Sequence, residues 1–287
     1  YDGDGHNTAI GYNAGAEITT ARYNTILGSL AGDALTTGAE NTALGYGALG
    51  QEDGNGKNTA IGMQALTAQN AGAEGYNTAV GWDCGRSITS GVENVVIGSA
   101  AGDALTTGSY NVAVGHNALS AEDAHGKNVA IGHQALEAQN AGADGYNVAV
   151  GQNAGKVINT GIQNTIIGAI AGDALTTGDN NIIIGYAAAA SAVGVDNEIT
   201  LGDANISAFR CADDSIATLS DERDKSNIKD SEFGLDFIDS IRPVEFTWDY
   251  RPENMGSKQG KTRIGFIAQE LQEAMPNGEN EILDLVY

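Results

Sequence analysis

An Asn followed by three small or β-branched residues and a Gly recurs along most of this 287-residue chain. Successive Asn residues are 17, 17, 17 and 19 positions apart, and the series then starts again, so a 70-residue period lies over the shorter one. Self-similarity at a fixed period is typical of architectures in which each unit packs on its neighbours. The pattern begins at Asn7, Asn24, Asn41, Asn58, Asn77, Asn94, Asn111, Asn128, Asn147, Asn164 and Asn181, with a weaker echo at Asn197.

The pattern predicts one short β-strand in each unit. In the unit that starts at Asn111, Val112 and Val114 point to one face and Ala113 to the other, because side chains alternate along a strand. One face is therefore bulky and the other small, and the pattern leaves open which of them faces inward. We expect the bracketing Asn and Gly to adopt left-handed backbone at the corners. A second strand is predicted within 17–20 or 33–36, so that each unit is one coil of a parallel β-solenoid.

Composition excludes several classes of function. The net charge of -23 disfavours binding to nucleic acid or to an anionic membrane surface. No apolar run reaches the roughly 18 residues of a membrane span, so we expect no membrane insertion. Cys84 and Cys211 lie far apart in unlike contexts and give no disulfide framework. No cofactor motif and no metal-ligand spacing stands out, so neither a cofactor nor a metal is predicted.

The unit Asn-Thr-Ala-Ile-Gly at 7–11 and 58–62 resembles the head repeats of trimeric autotransporter adhesins and repeats of phage tail fibres. In those families each protomer is a left-handed β-roll, and three rolls pack around a threefold axis. The resemblance therefore implies a homotrimer. The repeat of those families is shorter than 17 residues, which predicts longer loops in this chain.

When coils stack, residues at the same position in successive coils lie above one another. The residues that follow each strand-ending Gly should therefore form one column. This column is rich in aromatic residues and also holds His116 and His133. Three readings stay open: a packed corner of the roll, a strip on which glycans stack, or a metal site between chains. The column contains Tyr12, Ser29, Tyr46, Met63, Trp82, Ser99, His116, His133, Gln152, Ala169 and Tyr186.

The repeat ends near residue 210, and the composition changes there. Nine of the 14 basic residues lie after position 209, and glycine becomes rarer. We therefore predict two domains: a repetitive β-roll shaft over 1–209 and a separate domain over 210–287. The fold class is mainly β, with a trimeric parallel β-solenoid followed by a small α+β domain.

Three stretches of the second domain, 220–228, 241–248 and 265–270, resemble in order and spacing the intramolecular chaperone domain of phage endosialidases, the peptidase S74 group. The resemblance implies trimerisation, guidance of shaft folding, and self-cleavage between Leu219 and Ser220. Ser220 would be the nucleophile and Lys225 the base, since a desolvated Lys activates a Ser hydroxyl. The family domain ends in long helices, so we expect this sequence to be truncated there.

The predicted function is that of a structural trimeric tail fibre involved in host attachment, with autoproteolysis as its single enzymatic step. Its expected partners are its own copies, other tail proteins and a host glycan or protein receptor. Its expected location is the virion tail, after assembly in the host cytoplasm. Two alternatives stay open. A glycan-depolymerising tailspike requires two carboxylates facing one groove, and a bacterial trimeric adhesin requires a secretion signal and an anchor.

Overall fold

A computed structural model describes residues 5–54, 56–208, 235–247, 262–267 and 270. The chain divides into two compact units, Tyr1–Asn205 and Ile206–Tyr287. Within these described ranges, no helix has the length and apolar character that a bilayer crossing requires.

The first unit is a parallel β-solenoid with one three-residue strand in each coil. Every strand pairs in parallel with the strand of the next coil, in strict chain order, to form one twelve-stranded sheet. Eleven steps of about 4.8 Å make this shaft about 53 Å long. The predicted mainly-β solenoid is confirmed, while its trimeric state and its handedness remain predictions. The strands are β1 Thr8–Ile10, β2 Thr25–Leu27, β3 Thr42–Leu44, β4 Thr59–Ile61, β5 Thr78–Val80, β6 Val95–Ile97, β7 Val112–Val114, β8 Val129–Ile131, β9 Val148–Val150, β10 Thr165–Ile167, β11 Ile182–Ile184 and β12 Ile199–Leu201.

The small face of the sheet points into the solenoid. The central residue of each strand from β2 to β11, for example Ala113, is fully buried, while its two neighbours are half-buried or exposed. In β7 the neighbours are Val112 and Val114. The question that the alternation left open is thus settled: the bulky pair faces away from the core.

The predicted second strand is absent from the described coils. Residues 17–20 and 33–36 form turns and bends, although they still hydrogen-bond from coil to coil. Thr36, for example, donates its N–H to the carbonyl oxygen of Asp53 at 2.6 Å. Left-handed residues such as Gly15 (φ +59°) and Gly32 (φ +51°) interrupt the extended backbone just before these stretches. The prediction was wrong because these corners leave no room for a straight segment.

The repeated Asn side chains form a continuous hydrogen-bonded ladder inside the shaft. The Oδ1 of each Asn accepts the backbone N–H of the equivalent residue one coil on, at 2.8–3.2 Å, from Asn7 through to Glu198. In most coils the Nδ2 donates to a carbonyl 14 residues ahead, as from Asn94 to Gly108 at 2.9 Å. The residue before the Asn adopts the left-handed conformation, as Tyr110 does (φ +63°). The prediction that these Asn residues are left-handed is therefore wrong for Asn7 through Asn181, whereas Asn197, which precedes Glu198, is left-handed (φ +60°).

The 70-residue period follows from how the core is filled. In six coils a large apolar residue, such as Leu105, stands eleven positions after the Asn, and Gly102 three positions before it makes room. A Cβ on Gly102 would come within 2.8 Å of Leu105 Cδ1. In the other four coils, the position that holds Gly in the first kind holds a buried Leu, such as Leu119. The position eleven residues after the Asn then holds Glu or Gln. Two coils of the first kind are followed by two of the second kind, which gives the four-coil period of 70 residues.

The second unit contains a short helix, α1 Leu235–Ser240, and an antiparallel pair formed by β13 Val244–Thr247 and β14 Thr262–Gly265. Arg242 pairs with Glu270 through Nη2 and Oε1, at 2.5 Å.

The glycine that ends each strand has φ between +131° and +146° from Gly11 to Gly185. A Cβ on Gly115 would lie 2.4 Å from the carbonyl oxygen of Gly132 in the next coil. We predict that Gly115→Ala lowers the free energy of unfolding by about 3 kcal/mol, through backbone strain and overpacking together.

Urea unfolding followed by circular dichroism measures this loss. Gly142→Ala is the matched control, because Gly142 also has positive φ (+69°) but has no atom within 4 Å of the added Cβ. We expect the control to lose about 1 kcal/mol, from the left-handed backbone alone. Equal losses at the two positions would contradict the close coil-to-coil contact.

Candidate functional site

The first and third residues of strands β1–β12 form one continuous surface, here called the outer sheet face. It consists of two columns that run the length of the shaft. The third-residue column is aliphatic throughout: Ile10, Leu27, Leu44, Ile61, Val80, Ile97, Val114, Ile131, Val150, Ile167, Ile184 and Leu201. The first-residue column is Thr in β1–β5 and in β10, Val in β6–β9, and Ile in β11–β12.

This face is apolar and accessible to solvent in the single chain. Ile131 is 38% exposed and Ile10, at the end of the shaft, is 60% exposed. At about 10 Å wide and 53 Å long, the face covers about 500 Å², the size of the largest exposed patches on monomeric proteins, which are often functional. No described residue with a negative or positive charge lies in either column. The arrangement therefore favours burial against another surface.

The column that follows each Gly also lies on the surface. Tyr12 is 73% exposed and Tyr46 and Trp82 are each 50% exposed, so the reading of this column as a packed corner within one chain is wrong. His116 and His133 stack with ring centroids 5.3 Å apart. These rings offer flat apolar faces with polar edges, which suit contact with another chain or with a sugar ring.

Two surface clusters of identical design lie 70 residues apart. Lys57 bonds both Glu74 and Tyr76, and Lys127 bonds both Asp144 (2.6 Å) and Tyr146 (2.9 Å). Hydrogen bonds from Lys57 and Tyr76 hold the pKa of Glu74 below its usual value. Each cluster joins neighbouring coils at the loop, and its exposure makes its contribution to stability small.

Several ionisable side chains lie inside the shaft. Burial raises the pKa of the Cys84 thiol to about 12, so this cysteine is an unreactive core residue. Burial also raises the pKa of Asp103 and that of Glu122, whose side chain is fully buried.

The Glu and Gln residues inside the shaft were not predicted from the sequence. Aligning the coils by their Asn would have revealed them, because Glu52, Gln69, Glu122 and Gln139 stand where the other coils have Leu or Ile.

The predicted catalytic pair, Ser220 and Lys225, lies outside the described residues, as does the predicted scissile bond after Leu219. Their roles remain predictions.

The family described as Peptidase S74, chaperone of endosialidase, matches residues 220–278. No curated protein and no solved structure matched the chain. The matched segment and the β-solenoid that precedes it fit a tail-fibre-like protein with a C-terminal chaperone domain.

Proposed function

We propose that this chain is the shaft and assembly domain of a homotrimeric fibre that takes part in host attachment. The observation that carries the proposal is the outer sheet face, whose third-residue column stays aliphatic over twelve strands. The core of the single chain is closed by the buried central strand residues and the Asn ladder, so the aliphatic side chains that point away from it do not contribute to that core. Their exposure is explained if they pack against another surface. Two other copies of the chain supply that surface.

Identical copies suit this face because its third-residue column is aliphatic along the whole length of the shaft. In three parallel shafts in register, equivalent strands would bring equivalent aliphatic side chains together, coil by coil. Trimerisation is also typical of the chaperone family that matches residues 220–278. Residues 1–209 contain 20 Asp and Glu but only 5 Lys and Arg, and none of these charged residues lies in a strand. The exposed acidic side chains of the loops would therefore oppose side-by-side association of finished fibres.

The chaperone segment has a physical task in such an assembly. The octapeptide at 31–38 recurs unchanged at 101–108 and 171–178. Three shafts displaced by one 70-residue block would bury nearly the same side chains, so the shaft alone specifies register weakly. Association of the three chaperone domains at one end fixes the register before the shafts pack.

Cleavage of the chain is the second part of the proposal. Resemblance to the peptidase S74 group assigns Ser220 as nucleophile and Lys225 as base. The Ser220 hydroxyl would attack the carbonyl carbon of Leu219, and its proton would pass to the neutral amine of Lys225 and then to the leaving amine of Ser220. Water would hydrolyse the resulting ester, which separates residues 1–219 from the chaperone.

Attachment is supported by the exposed column of Tyr12, Tyr46 and Trp82. Aromatic faces spaced along a rigid rod suit repeated contacts with a glycan chain or a protein receptor, in which many weak contacts add.

The trimer interface is tested by Ile131→Glu on the outer sheet face. A buried, unpaired charge repeated three times around the axis should abolish the trimer while leaving the coil intact. Light scattering after size exclusion measures the molar mass, and circular dichroism checks the fold. Val157→Glu is the matched control, because Val157 is 37% exposed, almost the same as Ile131 at 38%, but lies in a loop. A trimeric Ile131→Glu variant would contradict this interface.

Self-cleavage is tested by Ser220→Ala. Intact-mass spectrometry of the expressed chain should show fragments 1–219 and 220–287 in the wild type and one uncut chain in the variant. Ser226→Ala changes a second Ser of the same stretch and should still be cut. An uncut wild type, or a variant that is cut normally, would refute autoproteolysis without affecting the trimer result.

A further inference from the structure

The loop 122–127 of the second 70-residue block brings together a carboxylate inside the shaft, a carboxylate outside it and an imidazole. One ligand atom each from Glu122, Asp123 and His125 lies within 4.8 Å of the other two. We infer that these three side chains bind a divalent transition-metal ion, such as Zn²⁺. Mixed carboxylate and imidazole ligands suit this class of ion, and three protein ligands leave a coordination position for water.

Glu122 differs from the three residues that occupy the same position in other coils. Gln69 accepts from Asn77 Nδ2 at 2.9 Å, Gln139 accepts from Asn147 Nδ2 at 3.0 Å, and Glu52 Oε2 accepts from Asn58 Nδ2 at 3.5 Å. Each of these side chains is thus joined to the Asn ladder.

Glu122 instead turns towards the loop. Its Oε1 accepts the backbone N–H of His125 at 3.1 Å, and its Oε2 has no hydrogen-bond partner although the residue is fully buried. The ladder residue that would have bonded it, Asn128, is left with an unpartnered Nδ2. A buried carboxylate oxygen without a donor is costly, and a bound cation removes that cost.

The imidazole is placed to share the same ion. His125 Nδ1 lies 3.6 Å from Glu122 Oε1, is shielded from solvent and has no hydrogen-bond partner. The backbone of the loop is fixed from the preceding coil, because Thr106 donates both its N–H (2.5 Å) and its hydroxyl (2.6 Å) to the carbonyl oxygen of Asp123. The exposed Asp123 side chain gives an ion access from solvent.

Charge around the loop favours a cation. The nearest basic side chain along the chain, Lys127, is engaged by Asp144 at 2.6 Å and by Tyr146, so it does not neutralise Glu122 and Asp123. The first block provides a natural comparison, because it has the same Glu-Asp pair at Glu52 and Asp53 but Asn55 in place of the histidine.

Isothermal titration of the full-length chain with Zn²⁺, after treatment with EDTA and dialysis, tests this site. We expect one ion per chain, whatever the oligomeric state. His125→Asn and Glu122→Gln should each weaken binding at least tenfold. Both variants use residues that the repeat itself accepts, Asn55 in the first block and Gln139 in the following coil, so the fold should be kept, as circular dichroism will verify.

Two control variants separate this site from others on the shaft. Glu52→Gln, in the block without the histidine, should leave the affinity unchanged. The double variant His116→Asn/His133→Asn removes the stacked histidine pair and should also leave it unchanged. Absence of saturable Zn²⁺ binding, binding that survives both His125→Asn and Glu122→Gln, or binding lost with the histidine pair would overturn the inference.

Discussion

Each coil of the shaft is joined to the next by an Asn side chain. At the corners, this side chain supplies the hydrogen-bond partners that the polypeptide backbone does not provide. Its Oδ1 accepts a backbone N–H from the next coil, and its Nδ2 closes its own coil, as between Asn94 and Gly108. A three-residue strand makes too few ladder bonds to fix its own register. The Asn column adds a directional bond at every step, and because these residues are fully buried, no water substitutes for it.

The rest of the core is determined by how much side-chain volume fits inside each coil. Besides the central strand residue, each coil from the one at Asn24 to the one at Asn164 buries one large apolar side chain. Gly102 with Leu105 is one solution, and Leu119 with Glu122 is the other. The second solution moves a polar group inward, and Gln139 bonds the Asn ladder there through its Oε1, which accepts from Asn147 Nδ2. Glu122 is the exception, and that exception places an acceptor beside His125.

The coil length, the parallel stacking and the strand positions could be predicted from the sequence because spacing alone determines them. The direction of the faces could not, since alternation in a unit such as Val112-Ala113-Val114 looks the same from either side. The ladder was missed because Asn was interpreted as a corner former, whereas the residue before it takes that role. The second strand was wrongly predicted because sequence patterns do not reveal how closely corners follow one another. Ser220 and Lys225 rest on resemblance, since their chemistry depends on surroundings outside the described residues.

The measurement that tests the Asn ladder most directly is amide hydrogen exchange in an Asn94→Ala variant. The substitution leaves the N–H of Asn111 and the carbonyl of Gly108 without buried partners, at a cost of about 2–4 kcal/mol for the two groups. We predict faster exchange at Asn111 and in both adjoining strands. Thr89→Ala, which removes an exposed side-chain bond from its hydroxyl to the carbonyl oxygen of Thr106 and leaves a residue without positive φ, should exchange like the wild type at Asn111. Unchanged protection at Asn111 would contradict the account.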